Sequence, residues 1–315
     1  MSIEQKFIDQ FVNVTSKAAL ASYHLVGKKD KIAADKAAVD KMRTELNKIN
    51  MKGKIVIGEG ELDDAPMLFI GEELGTKNGP ELDIAVDPLE GTNFAANNLP
   101  GALSVISVAE RSNLFNAPET YMDKISANVK ENNIIDLDFS IKKNIYNLAD
   151  YKNKKPSNLT ACILDRPRHS SIINELKKLN VNLKLISDGD VSGALLVSDI
   201  KHNVDIFMGI GGGPEGVLAA SALDAFECFF QCRFLFRTEK DKSRAKNMGI
   251  NDFNKKYNLK DIISGDSIFC ATGITSGDLV SGIEISNNEF ISETLITHKS
   301  TGLKKIIKTK QKISF

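Results

Sequence analysis

Apolar residues recur at helical spacing through the first fifty positions. Phe7, Ile8, Phe11, Val12, Ala18, Ala19 and Leu20 form one stripe, and Ala33, Ala34, Ala37, Ala38, Met42 and Leu46 form a second. Steps of three and four residues put such positions on one helix face. Gly27-Lys28-Lys29-Asp30 separates the two helices. The period then shortens: Ile55-Val56-Ile57 reads as a strand, and Ile84 and Val86 alternate with their neighbours as a second strand. Pro88 is expected to end that second strand, because proline cannot donate to a sheet ladder. Pro66 suits the first turn of a helix over 67–74, with Gly75 as its stop. Residues 102–109 and 114–116 read as a hairpin around Arg111-Ser112-Asn113.

From residue 159 onward strands and helices alternate. Strands are expected at 159–164, 183–186 and 205–210, and helices at 170–179, 191–197 and 215–226. Such alternation implies an α/β lobe with ligands at the carboxyl ends of its strands. The polar stretch 144–158 is the expected lobe boundary, dividing the chain into 1–156 and 157–315. Residues 237–260 are charged and read as a surface excursion. The basic tail, with Lys304, Lys305, Lys308, Lys310 and Lys312, reads as a solvated face or strand edge.

Composition narrows the function classes. With 315 residues, 42% of them hydrophobic, the chain can bury one large core or two fused ones. Its 41 basic and 41 acidic residues cancel. That balance gives no electrostatic case for nucleic acid or an anionic membrane. The first residues carry no basic segment leading into an apolar one, and no apolar run approaches a membrane span, so a cytoplasmic protein is expected. Cys162, Cys228, Cys232 and Cys270 show no metal-type pairing and read as reduced thiols.

The stretch 83–94 carries the strongest chemical signal. After the apolar strand it offers the carboxylates of Asp87 and Glu90, the carbonyl of Leu89 and the hydroxyl of Thr92. Hard divalent cations bind such oxygens, although a bare Asp-x-x-Glu is also simply an acidic turn. Glu59 and Glu61 follow a strand and flank Gly60. Arg166-Pro167-Arg168-His169 lies between a strand and a helix, where arginines can grip phosphate bidentately. Asp188-Gly189-Asp190 ends the next strand and offers acceptors for sugar hydroxyls. Gly211-Gly212-Gly213-Pro214-Glu215-Gly216 has the G-x-G-x-x-G spacing of a dinucleotide loop. Pro214 removes an amide and Glu215 adds a negative charge, and both disfavour a pyrophosphate there. Ser104 and His24 have no visible triad partners, which argues against covalent serine catalysis.

Asp87-Pro88-Leu89-Glu90-Gly91-Thr92 resembles the Asp-Pro-Leu-Asp-Gly-Thr signature of the lithium-sensitive, metal-dependent sugar phosphatases, with Glu90 in place of the second Asp. Together with the segments at 55–61, 64–67, 166–169, 188–190 and 211–216, it resembles class II fructose-1,6-bisphosphatase from about residue 30 to about residue 302. The resemblance implies an α/β fold, a layered α-β-α-β-α sandwich of two fused lobes with the site between them. It implies Mg²⁺ or Mn²⁺ held by Glu59, Asp87, the Leu89 carbonyl, Glu90 and Glu215. Asp35 is implied either to bind metal or to orient Thr92, and the Asp35–Thr92 pair to position the attacking water. Substrate contacts are implied at Glu90, Gly91, Thr92, Tyr121, Arg166, Arg168, His169, Asp188, Gly189, Asp190 and Gly212, with Arg168 as the main grip on the retained phosphate. The expected reaction is hydrolysis of fructose 1,6-bisphosphate in gluconeogenesis by a homo-oligomer, a dimer or tetramer. Alternatives are sedoheptulose 1,7-bisphosphate, an inositol phosphate or a 3′-phosphonucleotide as substrate, or a non-catalytic sugar-phosphate sensor.

Overall fold

The computed structural model describes residues 3–58 and 68–313. The chain begins with α1 (Lys6–Tyr23), α2 (Lys31–Leu46), β1 (Lys52–Ile57), β2 (Glu73–Leu74), β3 (Glu81–Glu90), α3 (Thr92–Ala96) and β4 (Leu103–Glu110). Its middle runs through β5 (Tyr121–Ala127), α4 (Ile141–Tyr151), β6 (Thr160–Leu164), α5 (Ser170–Lys178), β7 (Asn182–Ile186), α6 (Asp190–Leu195), β8 (Ile206–Gly212), α7 (Gly213–Ala225), β9 (Phe229–Leu235), α8 (Glu239–Asn247), β10 (Tyr257–Asn258) and α9 (Leu259–Ile262). It closes with β11 (Ser267–Gly273), β12 (Glu284–Ser286), β13 (Glu289–His298) and β14 (Leu303–Lys312). The class is α/β, with two sheets and flanking helices. No helix among the described residues is long and apolar enough to cross a membrane.

The elements group into two compact units, Met1–Asn116 with Ile263–Phe315, and Ala117–Ile262. This differs from the expected division at 156/157. β5 pairs with both β8 and β9, so a cut there would split a sheet. The last four strands return to the sheet of the first unit. The polar stretch taken for a linker is largely α4, whose Ile145 and Leu148 are buried. With Ala149 they make three buried apolar positions at helical spacing, enough to dock a helix whose other faces are polar.

In the first unit, among the described residues, the strand order is β13-β11-β4-β3-β1-β2, with β12 and β14 both pairing with β13. β3 is interior, parallel to β1 and antiparallel to β4. The predicted stripes on α1 and α2 bury Phe7, Phe11, Met42 and Leu46 against Ile55, Ile84 and Ile106. Burying each such side chain stabilises the fold by roughly 1.5–3 kcal/mol. Three local expectations change. Residues 73–74 form β2 against β1, not the end of a helix, while Pro66 and Met67 lie outside the described residues. Leu114 bridges to Ile263 instead of folding back on β4. β3 runs on past Pro88, because a bulge there absorbs the missing donor. The basic tail is β14, a strand on the edge of the sheet.

The second unit is a six-stranded sheet in the order β10-β9-β5-β8-β6-β7. β6 is parallel to β7 and β8, while β5 is antiparallel to β8 and β9. The first residue of β5 therefore lies at the same sheet edge as the last residues of its neighbours. The predicted excursion over 237–260 packs back on this sheet, with Ala245, Ile250 and Tyr257 buried.

Candidate active site

In the first unit the acidic segment sits where β3 gives way to α3. Asp87 pairs with Val105 and Glu90 with Leu103, so three steps on β3 match two on β4. The extra residue turns consecutive side chains out of strict alternation. Leu89 and Glu90 are buried and Asp87 is half-buried. Gly91 takes φ +79°, a left-handed conformation, and caps α3. A side chain there would be strained, and its Cβ would lie 2.8 Å from the Phe94 ring. Thr92 is the first residue of α3 and is half-buried.

Asp35 lies on α2, a helix that packs on the helix following this turn. α2 packs on α3, and the loop before α2 is tied to it by Gly27 N–H to Ala95 O (2.9 Å) and Lys29 N–H to Ala96 O (2.9 Å). Ala34 and Ala38 share a core cluster with Leu89, Phe94 and Ala95. Asp35 follows Ala34 and is half-buried. The structure thus gathers Asp35, Asp87, Glu90 and Thr92 onto adjoining elements of one unit. Glu59 lies outside the described residues. Among the described residues, no three metal-ligating side chains form a ready cluster.

The second unit presents a different set at its sheet edge. Glu215 lies in the first turn of α7, where a carboxylate is favoured by the helix dipole. Its Oε2 is buried and accepts no hydrogen bond among the described residues. Burial pushes its carboxyl above the usual range, opposed by the charge of Lys124. A Cβ on Gly212 would lie 1.8 Å from that Oε2. The glycine therefore makes room for the chain's own carboxylate, which fills the space a dinucleotide phosphate would need. This weighs against dinucleotide use of the loop and fits a divalent cation, because a buried carboxylate oxygen without a hydrogen bond is costly until a cation pairs with it.

Lys124 escaped the sequence reading. It stands in the middle of β5 with 1% exposure, and its Nζ donates to Asp190 Oδ2 and to Gly212 O (2.8 Å). Two charged residues, Asp123 and Lys124, between the apolar Met122 and Ile125 were the available signal. Asp190 is buried at the start of α6, and its Oδ1 has no hydrogen-bond partner among the described residues. Gly211 leaves room in the same way as Gly212, since a Cβ would lie 1.9 Å from Asp190 Oδ2. Gly189 caps α6 at φ +83°, and Asp188 is half-buried with Arg166 Nη2 3.9 Å from its Oδ1.

Tyr121 opens β5 and is exposed, opposite Gly212 and Leu235 in register. Arg168 donates from Nε to Ile210 O (2.9 Å) and lies over the Tyr121 ring, 5.2 Å from its centre. His169 departs from expectation. Its ring is fully buried, Nδ1–H donates to Leu164 O (2.7 Å), and Nε2 accepts from Ile210 N–H (2.8 Å). Both nitrogens are committed to backbone, so His169 fastens the end of β6 to β8 and offers nothing to a substrate. Burial holds its imidazole below the ordinary value, so the ring is neutral.

Known proteins resemble this chain along nearly its whole length. The family described as bacterial fructose-1,6-bisphosphatase, glpX-encoded, matches residues 5–311. The chain is 41% identical over 312 residues to fructose-1,6-bisphosphatase 1 class 2 of Escherichia coli (strain K12), covering 94% of this chain and 93% of that protein. It is 36% identical over 325 residues to D-fructose 1,6-bisphosphatase class 2/sedoheptulose 1,7-bisphosphatase of Trichodesmium erythraeum (strain IMS101), covering 95% and 94%.

Proposed function

The chain belongs to the family of glpX-encoded bacterial fructose-1,6-bisphosphatases, and from that premise we propose that it hydrolyses the 1-phosphate of fructose 1,6-bisphosphate, giving fructose 6-phosphate and phosphate in gluconeogenesis. It is a phosphatase of a metal-dependent class, and its substrate is a sugar bisphosphate. The observation that carries the assignment to these residues is the buried, unpartnered Glu215 oxygen at the same sheet edge as Arg168 and Asp190.

Mg²⁺ or Mn²⁺ would be held by Glu59, Asp87, the Leu89 carbonyl, Glu90 and Glu215, and would supply positive charge against the charge developing on the transferred phosphoryl group. Thr92, oriented by Asp35, aligns the attacking water. The water oxygen bonds to phosphorus as the phosphorus–O1 bond breaks, the bonding pair leaves on the sugar oxygen, and the proton given up by the water is returned to that oxygen as the sugar hydroxyl. Arg168 and Tyr121 hold the phosphate that stays. Asp188 and the free oxygen of Asp190 accept hydrogen bonds from sugar hydroxyls, with Lys124 fixing Asp190. Gly212 leaves room for the Glu215 carboxylate beside the substrate-binding residues. Cytoplasmic location accords with four free, buried cysteines. A homo-oligomer is proposed on family membership alone.

A second reading, shared use of sedoheptulose 1,7-bisphosphate, is favoured by the Trichodesmium relative, which is named for both activities. Phosphate release should be measured from fructose 1,6-bisphosphate, sedoheptulose 1,7-bisphosphate, inositol 1-phosphate and a 3′-phosphonucleotide, with Mg²⁺ and with Mn²⁺. The ketose bisphosphates should turn over fastest. Hydrolysis of inositol phosphate alone, or binding without turnover, would contradict the assignment.

A further inference from the structure

Two guanidinium groups converge on one phenol ring. Arg168 lies 5.2 Å from the centre of the Tyr121 ring, and Arg237 lies 4.6 Å from it. All three residues are exposed. Arg237 follows β9 by two residues, and Leu235 of β9 is the register partner of Tyr121, so the meeting is set by the sheet. The backbone of Arg237 is also fixed. Thr238 and Asp241 form the capping box of α8, and Asp241 Oδ2 accepts from the N–H of both Thr238 (2.9 Å) and Arg237 (3.2 Å).

Neither guanidinium has a carboxylate partner among the described residues. The acids that follow Arg237 are engaged elsewhere, Glu239 with Lys242 (2.7 Å) and Asp241 with the helix cap and Arg244 (3.4 Å). Two like charges on one ring repel each other, and an exposed cation–π contact offsets little of that. An anion shared between the two removes the repulsion. Guanidinium forks match phosphate oxygens bidentately, and two positive charges match a phosphate dianion.

We propose that Arg237 binds the phosphate that is not cleaved, clamping it together with Arg168 across Tyr121, and thereby sets the preference for bisphosphates over monophosphates. This rests on the functional assignment above and adds a residue to it. The grip is made in the ground state and kept through the reaction, so it acts on KM more than on kcat.

The test compares wild type, Arg237→Ala and Arg237→Lys in two measurements. The first is steady-state hydrolysis of fructose 1,6-bisphosphate and of fructose 1-phosphate at saturating metal. The second is calorimetric binding of fructose 6-phosphate, which carries only the retained phosphate. Arg237→Ala should raise KM for the bisphosphate about tenfold or more, with a clearly smaller change for the monophosphate, and weaken fructose 6-phosphate by a similar factor. Arg237→Lys keeps the charge without the fork and should recover part of each loss. Unchanged fructose 6-phosphate affinity in folded Arg237→Ala, or equal losses for both substrates, would overturn the proposal. A wild type that binds fructose 6-phosphate but releases no phosphate from the bisphosphate would overturn the functional assignment instead, and the binding comparison would still decide the role of Arg237.

Discussion

Two strand-to-helix turns, one in each unit, look alike in sequence and are built for different reasons. β3 passes into α3 through Gly91, and β8 passes into α7 through Gly212 and Gly213. Gly91 is demanded by backbone conformation, φ +79°. Gly212 has ordinary extended backbone, φ −70° and ψ 147°, and leaves the space in which the Glu215 carboxylate lies. The first turn shapes a path for the chain, and the second shapes a place for a charge. Glycine in a motif thus does not by itself report a ligand. What lies against its missing Cβ does.

The largest effects are expected where charge is removed. Asp87→Asn in the first turn and Glu215→Gln in the second should each lower kcat roughly a hundredfold or more, since charge stabilisation at such a centre is worth several kcal/mol. Near-normal turnover in the folded variants at saturating metal would remove these residues from the site.

Thr92 tests the first turn alone. Thr92→Ala should lose roughly 10²-fold in kcat with little change in KM, because positioning a proton acceptor acts in the transition state. Thr92→Ser keeps the hydroxyl and should keep part of the rate. Equal rates for the two variants would make Thr92 a structural turn residue.

The glycines sharpen the comparison directly. Gly212→Ala must displace the Glu215 carboxylate and should cost roughly tenfold in turnover with a small change in melting temperature. Gly91→Ala should do the reverse, costing roughly 1–2 kcal/mol of stability, a melting shift of a few degrees. Loss of stability in both, with activity per folded molecule intact, would erase the distinction.

The smallest effect is a pH slope from the second unit. His169 is held below its ordinary value of 6.5, first by burial. The unfolded chain therefore binds this proton more readily than the folded one. The stability His169 contributes is complete above the unfolded value and is lost as pH falls through the folded value. Melting temperature should drop on acidification from about pH 7.5 toward 5.5, and His169→Asn should flatten that slope. An identical slope in the variant would show that another group is responsible.

How much of this was legible in the sequence follows from how local each signal is. The helices α1 and α2, and the alternation from β6 to α7, were readable because each carries its own period. The acids and arginines at strand ends were readable because their motifs are short. β5 and α4 were missed. β5 mixes Asp123 and Lys124 into an apolar strand, and the register that buries Lys124 beside Asp190 joins residues 66 apart. α4 hides four buried positions, Asn144, Ile145, Leu148 and Ala149, in a polar stretch. The unit boundary was missed because β11–β14 cross back to the first sheet, a pairing that no local pattern encodes. Arg237 was missed for the same reason, since its partner Tyr121 lies on another strand. His169 was misread because a histidine beside arginines gives no sign that both its nitrogens are used by backbone.

The proposal that Asp87 and Glu215 each act as a ligand of a divalent cation is tested most directly by metal binding in the absence of substrate. Mn²⁺ should be titrated calorimetrically into wild type, Asp87→Asn and Glu215→Gln, with folding of each checked by circular dichroism. Wild type should bind Mn²⁺, and each variant should bind it at least about tenfold more weakly, since each has lost a charged ligand. Folded variants that bind Mn²⁺ as tightly as wild type would contradict it.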